Sequence, residues 1–259
     1  MTATLTTTDG LAVITLDRPK AHNALDATTK VALAEAVTAA GADPTVRAVL
    51  LTANGRNFCV GQDLGEHVAA LEADPSTAMD TVIEHYNPLI RAVRDIAVPV
   101  VVGIQGACVG AGLGLALAAD IRVAGGAASF ATAFTGIGLA SDSGLTHTLV
   151  AALGPSREMG LMLLGDKVTA QQAADWGLVH RVVDDELVAS TAHEIAARLA
   201  AGPTVAYTQV KQLVRASDAG LSEALDREAL AQALLGSTAD HKAAVDAFLA
   251  KRAPEFAGR

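Results

Sequence analysis

Residues 98–120 read VPVVVGIQGACVGAGLGLALAAD, and this stretch decides the fold class. Residues 98–119 carry no charge over 22 positions, which is the length of a membrane-spanning helix. However, Pro99, Gln105 and five glycines divide the stretch into a β-branched run, VPVVVGI, and a small-residue run, GAGLGLALAAD. We therefore predict a buried strand, a tight turn and a buried helix in place of a membrane span.

The sequence on either side of this stretch alternates between strand and helix patterns. Strands are predicted at LAVITLD, VRAVLLTA, DIRVAG and LVHRVV, and the helix TTKVALAEAVTAA follows Asp26, which can cap it. This alternation predicts an α/β fold. After LVHRVV only helical patterns remain, so we place a soft boundary near residue 195. Residues 1–195 are predicted to form the core, and residues 196–259 a helical extension whose apolar faces must pack on the core or on another subunit.

The composition predicts one sizeable domain, since 51% of the 259 residues are hydrophobic and 18% are charged. The formal net charge of -9 argues against a nucleic-acid partner, which usually requires a clustered basic face. Cys59 and Cys108 lack a metal-binding spacing, and no secretory leader is evident, so we expect reduced thiols in a cytoplasmic protein. Four histidines also lack a metal-binding pattern and are predicted to be surface or hydrogen-bonded residues: His22, His67, His85 and His147. We expect no bound metal.

Two loops are candidates for binding an anion through their backbone. The Gln105–Asp120 stretch opens a helix, where the first N–H groups lack internal partners, although its glycines are equally explained by close packing of the helix on a strand. In the loop NFCVGQDL, Gly61 permits a turn that exposes the N–H of Gln62. Two such amides on separate loops would form an oxyanion hole. Taken alone, this loop is more often an ordinary turn in which Asp63 caps a helix.

Asp142, in GLASDSG, is the candidate acid/base residue. It follows a segment that contains several apolar side chains: Phe130, Phe134, Ile137 and Leu139. Apolar surroundings raise the pKa of a carboxyl group and allow it to exchange protons near neutrality. The alternative is that Asp142 caps the following helix, GLTHTLVAAL, and the sequence supports both interpretations.

Five segments carry a resemblance to a known family. They are LDRPKAHNALD, FCVGQDL, VPVVVGIQGACVGAGLGLALAADIRVA, LGPSREMGLMLLGDKVTAQQAADWGLVHRVV and AFLAKRAPEF. In order and spacing, the sequence resembles the enoyl-CoA hydratase/isomerase (crotonase) superfamily over nearly its whole length. The resemblance implies a crotonase-like spiral of ββα units with a C-terminal helical extension, assembled as a homotrimer or a dimer of trimers. It also implies an acyl-CoA substrate, with coenzyme A as part of that substrate and no separate cofactor.

The resemblance also implies a site. Carried over by position, the oxyanion hole would consist of the backbone N–H groups of Gln62 and Ala111. Residues similar to the family's substrate- and CoA-contacting surface are Arg18, Lys20, His22, Ala24, Asp63, Leu64 and Phe134. Phe248 and Lys251 resemble C-terminal residues that reach CoA, sometimes from a neighbouring subunit.

Departures from the family pattern narrow the reaction. Hydratases of the superfamily use two glutamates, and the corresponding positions here are Gly114 and Phe134. With Asp142 as the remaining carboxylate, the sequence is similar to members that isomerise acyl-CoA substrates with a single aspartate, including the epoxyphenylacetyl-CoA isomerases of phenylacetate breakdown. We therefore expect an isomerase that uses Asp142. The alternatives are a hydratase of low or promiscuous activity, a 4-chlorobenzoyl-CoA-type dehalogenase and a non-catalytic CoA-binding subunit. By the resemblance, the tryptophan of the dehalogenases is matched here by Phe134, and their histidine falls near Asn87, with His85 two residues away.

Overall fold

The computed structural model describes residues 2–217 and 220–259. The strands are β1 (Ala3–Thr8), β2 (Leu11–Leu16), β3 (Ala48–Ala53), β4 (Val100–Ile104), β5 (Ala107–Val109), β6 (Ile121–Gly125), β7 (Ser129–Ala131), β8 (Val168–Thr169) and β9 (Arg181–Val183). The α-helices are α1 (Ala27–Ala42), α2 (Leu64–Ala73), α3 (Asn87–Asp95), α4 (Ala111–Ala118), α5 (Leu145–Leu153), α6 (Pro155–Leu164), α7 (Ala170–Asp175), α8 (Val188–Ala200), α9 (Thr204–Arg215), α10 (Leu221–Gly236) and α11 (Ala239–Leu249). A π-helical turn, Val82–Tyr86, leads into α3. The alternation of strands and helices confirms the predicted α/β class.

The described residues form two sheets. The larger has the strand order β1-β2-β3-β4-β6-β9, in which β1 pairs with β2 antiparallel and the remaining neighbours are parallel. The smaller has the order β5-β7-β8, with β5 and β7 parallel. The chain crosses from the larger sheet to the smaller one twice, from β4 to β5 and from β6 to β7. The β4-β5-α4 segment is therefore a ββα unit.

The stretch that decides the fold class forms a strand, a turn and a helix, as predicted. All five residues of β4 are buried, and seven residues of α4 are buried, which explains the absence of charge from both elements. Gly106 has φ +58, and a Cβ at this position would lie 2.2 Å from the carbonyl oxygen of Arg56. The structure adds the three-residue strand β5 after this turn, which is too short to show a strand period in the sequence. Within residues 2–217 and 220–259, no helix is both long and apolar enough to span a bilayer.

Helix α8 covers the face of the larger sheet opposite α1. Its buried residues Ala192, Ile195 and Ala196 pack in one cluster with Leu50 and Val101 of the sheet. The predicted boundary near residue 195 therefore lies inside a helix whose two halves both contact the core. The assembly role of residues 196–259 stays a prediction.

Candidate active site

Two loops lie side by side at the end of the smaller sheet. A parallel bridge joins Cys59 to Cys108, with the Cys59 N–H donating to the Ala107 oxygen at 3.2 Å and the Val109 N–H donating to the Cys59 oxygen at 2.9 Å. Both cysteines are buried and neither forms a disulfide. Burial raises the pKa of the Cys59 thiol to about 12. The thiols are therefore neutral packing groups, and the backbone hydrogen bonds of the bridge align the two segments.

The backbone N–H groups of Gln62 and Ala111 lie on these adjoining loops. Gly61 has φ +87, and a Cβ there would lie 3.0 Å from the Val109 oxygen and 3.3 Å from the Ala111 nitrogen, so this close approach requires glycine. Within the described residues, neither the Gln62 nor the Ala111 N–H donates a hydrogen bond. Both residues line a cavity of about 470 Å³. Two unpaired amides, one of them at the positive end of α4, can stabilise a carbonyl oxygen that develops negative charge.

Asp142 lies in the same cavity and also in a smaller adjoining one of about 50 Å³. Burial raises the pKa of its carboxyl group, and the hydrogen bond that Ser143 Oγ donates to Asp142 Oδ1 at 2.7 Å opposes this only in part. The side chain does not cap α5, because the cap residue is Gly144 and no side-chain oxygen accepts from the first turn. The capping alternative is therefore wrong. Asp142 is a partly buried carboxyl group whose raised pKa suits proton exchange.

The backbone around Asp142 is strained. Ala133 has φ +61 and Ser143 has φ +53, which are conformations that non-glycine residues rarely adopt. Ala133 precedes Phe134 and Ser143 follows Asp142, so the strain lies beside two of the residues that line both cavities. Such strain concentrates at functional sites.

The other carboxyl group of the larger cavity, Asp63, is engaged in hydrogen bonds and an ion pair. It caps α2 by accepting from the N–H groups of Gly65 at 3.0 Å and Glu66 at 3.2 Å, which confirms the capping interpretation of this loop. Its pKa is lowered, first by the hydrogen bond from the Glu66 N–H and then by Arg18, which lies 3.0 Å away. Asp63 is thus a stable carboxylate and a poor proton acceptor.

The two positions at which hydratases carry glutamate hold no carboxylate here. A Cβ at Gly114 would lie 2.4 Å from the Ser143 Cβ and 2.7 Å from the Ser143 oxygen, so a larger side chain requires the Asp142 loop to move. Phe134 is 9% exposed and lines both cavities. Asp142 is therefore the carboxyl group of the larger cavity that is not engaged by a helix cap or a guanidinium.

His67 is a cavity residue that the sequence did not reveal. The sequence predicts a surface or hydrogen-bonded histidine, but His67 is half-buried and lines the small cavity, and its imidazole has no hydrogen-bond partner among the described residues, although its backbone N–H donates to the Asp63 oxygen at 3.0 Å. Leu64, three residues earlier on α2, lines the same cavity. The spacing of three residues places both side chains on one face of the helix, and this spacing is the signal from which a cavity position of His67 could have been predicted.

Within the described residues, no group of three His, Cys, Asp or Glu side chains is placed to hold a metal ion.

The residues predicted to contact CoA fall into two groups in the structure, those at the larger cavity and those outside it. Ala24, Asp63 and Leu64 line the larger cavity together with Gln62 and Ala111. The guanidinium of Arg18 forms ion pairs with Asp26 at 3.1 Å and with Asp63, and it donates a hydrogen bond to the Ala24 oxygen at 2.6 Å. It therefore links Ala24 and Asp63, two residues of the cavity wall.

The remaining predicted CoA contacts lie outside this cavity. Lys20 and His22 are exposed, and His22 Nδ1 is 2.9 Å from Asn57 Nδ2. Phe248 is 82% exposed and Lys251 is exposed, and neither lines the cavity of its own chain. A role for these two residues requires a second subunit and stays a prediction.

Known proteins are similar to this chain over nearly its whole length. The sequence model described as enoyl-CoA hydratase/isomerase matches residues 6–259. The 1,2-epoxyphenylacetyl-CoA isomerase of Escherichia coli K12 is 40% identical over 252 residues, which cover 96% of each chain. A probable enoyl-CoA hydratase of Rhodobacter capsulatus is 43% identical and covers 97% of this chain and 96% of its own. A Mycobacterium abscessus crystal structure described as an enoyl-CoA hydratase/isomerase is 57% identical, with a TM-score of 0.98 over 99% of this chain and 100% of its own.

Proposed function

The chain belongs to the enoyl-CoA hydratase/isomerase family, and we propose on that premise that it is an acyl-CoA isomerase in which Asp142 moves the proton. The observation that carries the proposal is the position of Asp142. Its carboxyl group has a raised pKa and lines the same cavity as the two unpaired amides of Gln62 and Ala111. An acyl-CoA substrate is consistent with the family, and the Escherichia coli relative is described as an isomerase of such a thioester.

The proposed reaction is a shift of one proton between two carbons of the acyl group. The ionised carboxylate of Asp142 takes a proton from one carbon, and the electron pair of that C–H bond moves into the thioester, whose oxygen becomes an enolate or dienolate. The N–H groups of Gln62 and Ala111 hold the negative oxygen. Protonated Asp142 then returns the proton to another carbon, so the substrate is neither oxidised nor reduced and the carboxylate is regenerated.

A raised pKa suits both halves of this cycle. A carboxylate of ordinary pKa is a weak base, whereas the apolar surroundings of Asp142 make its ionised form more basic. Phe134, at 9% exposure, contributes its ring to these surroundings. The Ser143 hydroxyl has the opposite effect on the pKa. It donates a hydrogen bond to the carboxylate and limits the rise in pKa, which keeps the ionised form accessible.

Hydration is the second candidate, and His67 is the observation that favours it. Water addition needs a group to position and deprotonate the water, and His67 is a second titratable side chain in the small cavity. The Rhodobacter capsulatus relative is described as a probable enoyl-CoA hydratase. Dehalogenation receives less support, because Asn87, near the position of the dehalogenase histidine, lines a different surface groove with Arg91.

Product identity distinguishes these reactions. The experiment offers the enzyme 2-enoyl-, 3-enoyl- and aryl-acyl-CoA thioesters in H₂¹⁸O and follows the products by mass spectrometry. We expect isomers of unchanged mass from at least one substrate. Products that gain the mass of labelled water as the main outcome would replace isomerisation with hydration. Tight binding without any product would leave a non-catalytic CoA-binding protein.

A further inference from the structure

A lysine is buried behind the oxyanion-hole loop. Lys30, on α1, is 1% exposed, and its ammonium group donates to Gln62 Oε1 at 3.2 Å, Glu66 Oε1 at 2.7 Å and Thr81 Oγ1 at 2.7 Å. The ammonium group also lies 5.2 Å from the centre of the Tyr86 ring. All three of its protons are therefore used, as a buried cation requires.

The partners of Lys30 lie at both ends of one segment. Gln62 and Glu66 begin the 62–81 segment, Thr81 ends it, and residues between them line the small cavity beside Asp142. Burial alone would raise the pKa of Glu66, but the hydrogen bonds from Lys30, Ala27 and Gln62 outweigh burial and lower it. One ammonium group on a long helix thus holds both ends of a wall of the proposed acyl site.

The side chain of Gln62 has no freedom within this network. Its Oε1 accepts from Lys30 Nζ and from the Tyr86 hydroxyl, and its Nε2 donates to Glu66 Oε1 at 3.0 Å. The Tyr86 hydroxyl is placed by the π-helical turn Val82–Tyr86, a local irregularity that often occurs at functional sites. Because the side chain and the backbone N–H of Gln62 share one Cα, a fixed side chain restricts the direction of the N–H. That N–H is one of the two unpaired amides of the cavity.

We propose that Lys30 is a positioning residue for the oxyanion hole. Through Gln62 it holds the amide N–H at the thioester oxygen, and through Glu66 and Thr81 it keeps the cavity wall closed around the acyl group. Lys30 lines neither cavity, so it acts through Gln62 and does not touch the substrate. This inference rests on the proposed function, since it assumes that the thioester carbonyl occupies the site between Gln62 and Ala111.

The test variant is Lys30→Met, which keeps an unbranched chain and removes the cation. Lys211→Met is the matched control. Lys211 is 9% exposed and also binds through its ammonium group, to the oxygens of Ile96 at 2.8 Å and Val98 at 2.7 Å, but it lines neither cavity. Both variants remove a buried ammonium group, so a general loss of stability affects both, whereas only Lys30→Met disturbs Gln62.

The readout is the carbonyl stretch of a bound, unreactive thioester. Hexanoyl-CoA labelled with ¹³C at the carbonyl is added in excess, and difference Raman spectra report how strongly the oxyanion hole polarises the C=O bond. We expect a downshifted carbonyl band in the wild type and in Lys211→Met, and a smaller downshift in Lys30→Met. In the same variant kcat should fall by up to about 10²-fold, since small misplacements in a site have effects of this order, while hexanoyl-CoA affinity changes less.

Two further variants keep the test decisive if Lys30→Met does not fold. Tyr86→Phe removes one donor to the Gln62 oxygen and keeps the ring, and Gln62→Met removes the side chain and keeps the backbone N–H. Both should reduce the downshift. Where Lys30→Met does fold, combining it with Gln62→Met should change the carbonyl downshift little beyond Gln62→Met alone, because Lys30 is proposed to act on the amide through Gln62.

Two results would overturn the proposal, and they differ. An unchanged downshift in Lys30→Met or in Gln62→Met would show that the network does not position the amide, while leaving the proposed reaction intact. A wild-type band without any downshift would show that the thioester does not bind between Gln62 and Ala111, and the proposed function would fail as well.

Discussion

At the residue scale, two consecutive residues with left-handed backbone conformations set the direction of the Asp142 side chain. Ser143 has φ +53 and Gly144 has φ +71, so the backbone reverses between Asp142 and the start of α5. The carboxyl group consequently faces the cavity and cannot reach the first N–H groups of the helix. The apolar neighbours of Asp142 could be predicted from the sequence, but this reversal could not, because serine does not signal a left-handed conformation. That is why the sequence left the catalytic and the capping interpretations open.

The pH dependence of stability follows from the pKa of Asp142. Because burial raises that pKa above its unfolded value, the ionised carboxylate destabilises the folded state at neutral pH. Asp142→Asn should therefore increase the free energy of unfolding at neutral pH. The difference from wild type should shrink as the pH falls through the raised pKa and vanish below the unfolded value of about 3.9. Denaturant titrations at several pH values measure it.

Asp63→Asn is the control with the opposite sign. The pKa of Asp63 is lowered by the Glu66 N–H and by Arg18, so its carboxylate stabilises the folded state above the unfolded pKa, and this contribution is lost on acidification through the lowered pKa. The variant should be less stable than wild type at neutral pH. If both variants shift stability in the same direction, the electrostatic description of the cavity is incorrect.

At the element scale, the glycines of α4 allow the helix to pack closely on neighbouring backbone, while the exposure of the Ala111 N–H depends on the turn before the helix. A Cβ at Gly112 would lie 2.4 Å from the Cys59 oxygen, and one at Gly114 would meet Ser143. The packing explanation is therefore confirmed for Gly112 and Gly114, while anion binding by the backbone of this stretch stays a prediction. Lys30 illustrates the limit of such reasoning: its partners lie 32, 36 and 51 residues away, and no local period could have paired them.

Gly114→Ala should destabilise the protein and disturb the Asp142 loop. The new Cβ would lie 2.4 Å from the Ser143 Cβ, and overpacking of this kind typically costs about 1–3 kcal/mol. Gly160→Ala in α6 is the control, because a Cβ there meets nothing within 4 Å and alanine favours a helix by about 0.5–1 kcal/mol over glycine. Thermal unfolding compares the two variants. Equal stabilisation of both would contradict the close contact of α4 with the Asp142 loop.

At the scale of the whole molecule, the C-terminal helices leave large apolar side chains exposed. On α10 and α11, Leu221 is 77% exposed, Leu230 72%, Phe248 82% and Leu249 74%. Exposure of this kind marks interaction surfaces. The fold class, the turn at Gly61 and the helix α4 were predictable because they depend on local patterns. What covers these exposed side chains was not predictable from the sequence, because amphipathicity does not identify the surface that packs on a helix.

We therefore expect the chain to form a trimer or a dimer of trimers in which α10 and α11 contribute to the interface. Light scattering at micromolar concentration should report the oligomer. Leu249→Glu should weaken it, because a charge would be buried in the interface. Ile83→Ser is the control, since Ile83 is 72% exposed but lies in the π-helical turn before α3. A stable wild-type monomer would remove the cross-subunit role proposed for Phe248 and Lys251.

The central claim is that Asp142 carries the proton, and the most direct measurement is the turnover of Asp142→Asn beside His67→Gln on the isomerised substrate. Asparagine keeps the size of Asp142 and can still accept from Ser143 Oγ, but it cannot take up and return a proton. Loss of a general acid/base group typically lowers rates about 10²- to 10⁴-fold, and we expect the upper end for Asp142→Asn, with acyl-CoA affinity close to wild type. His67→Gln should retain most of the activity. Unchanged turnover in Asp142→Asn, or a comparable loss in His67→Gln alone, would contradict the assignment of Asp142 as the proton carrier.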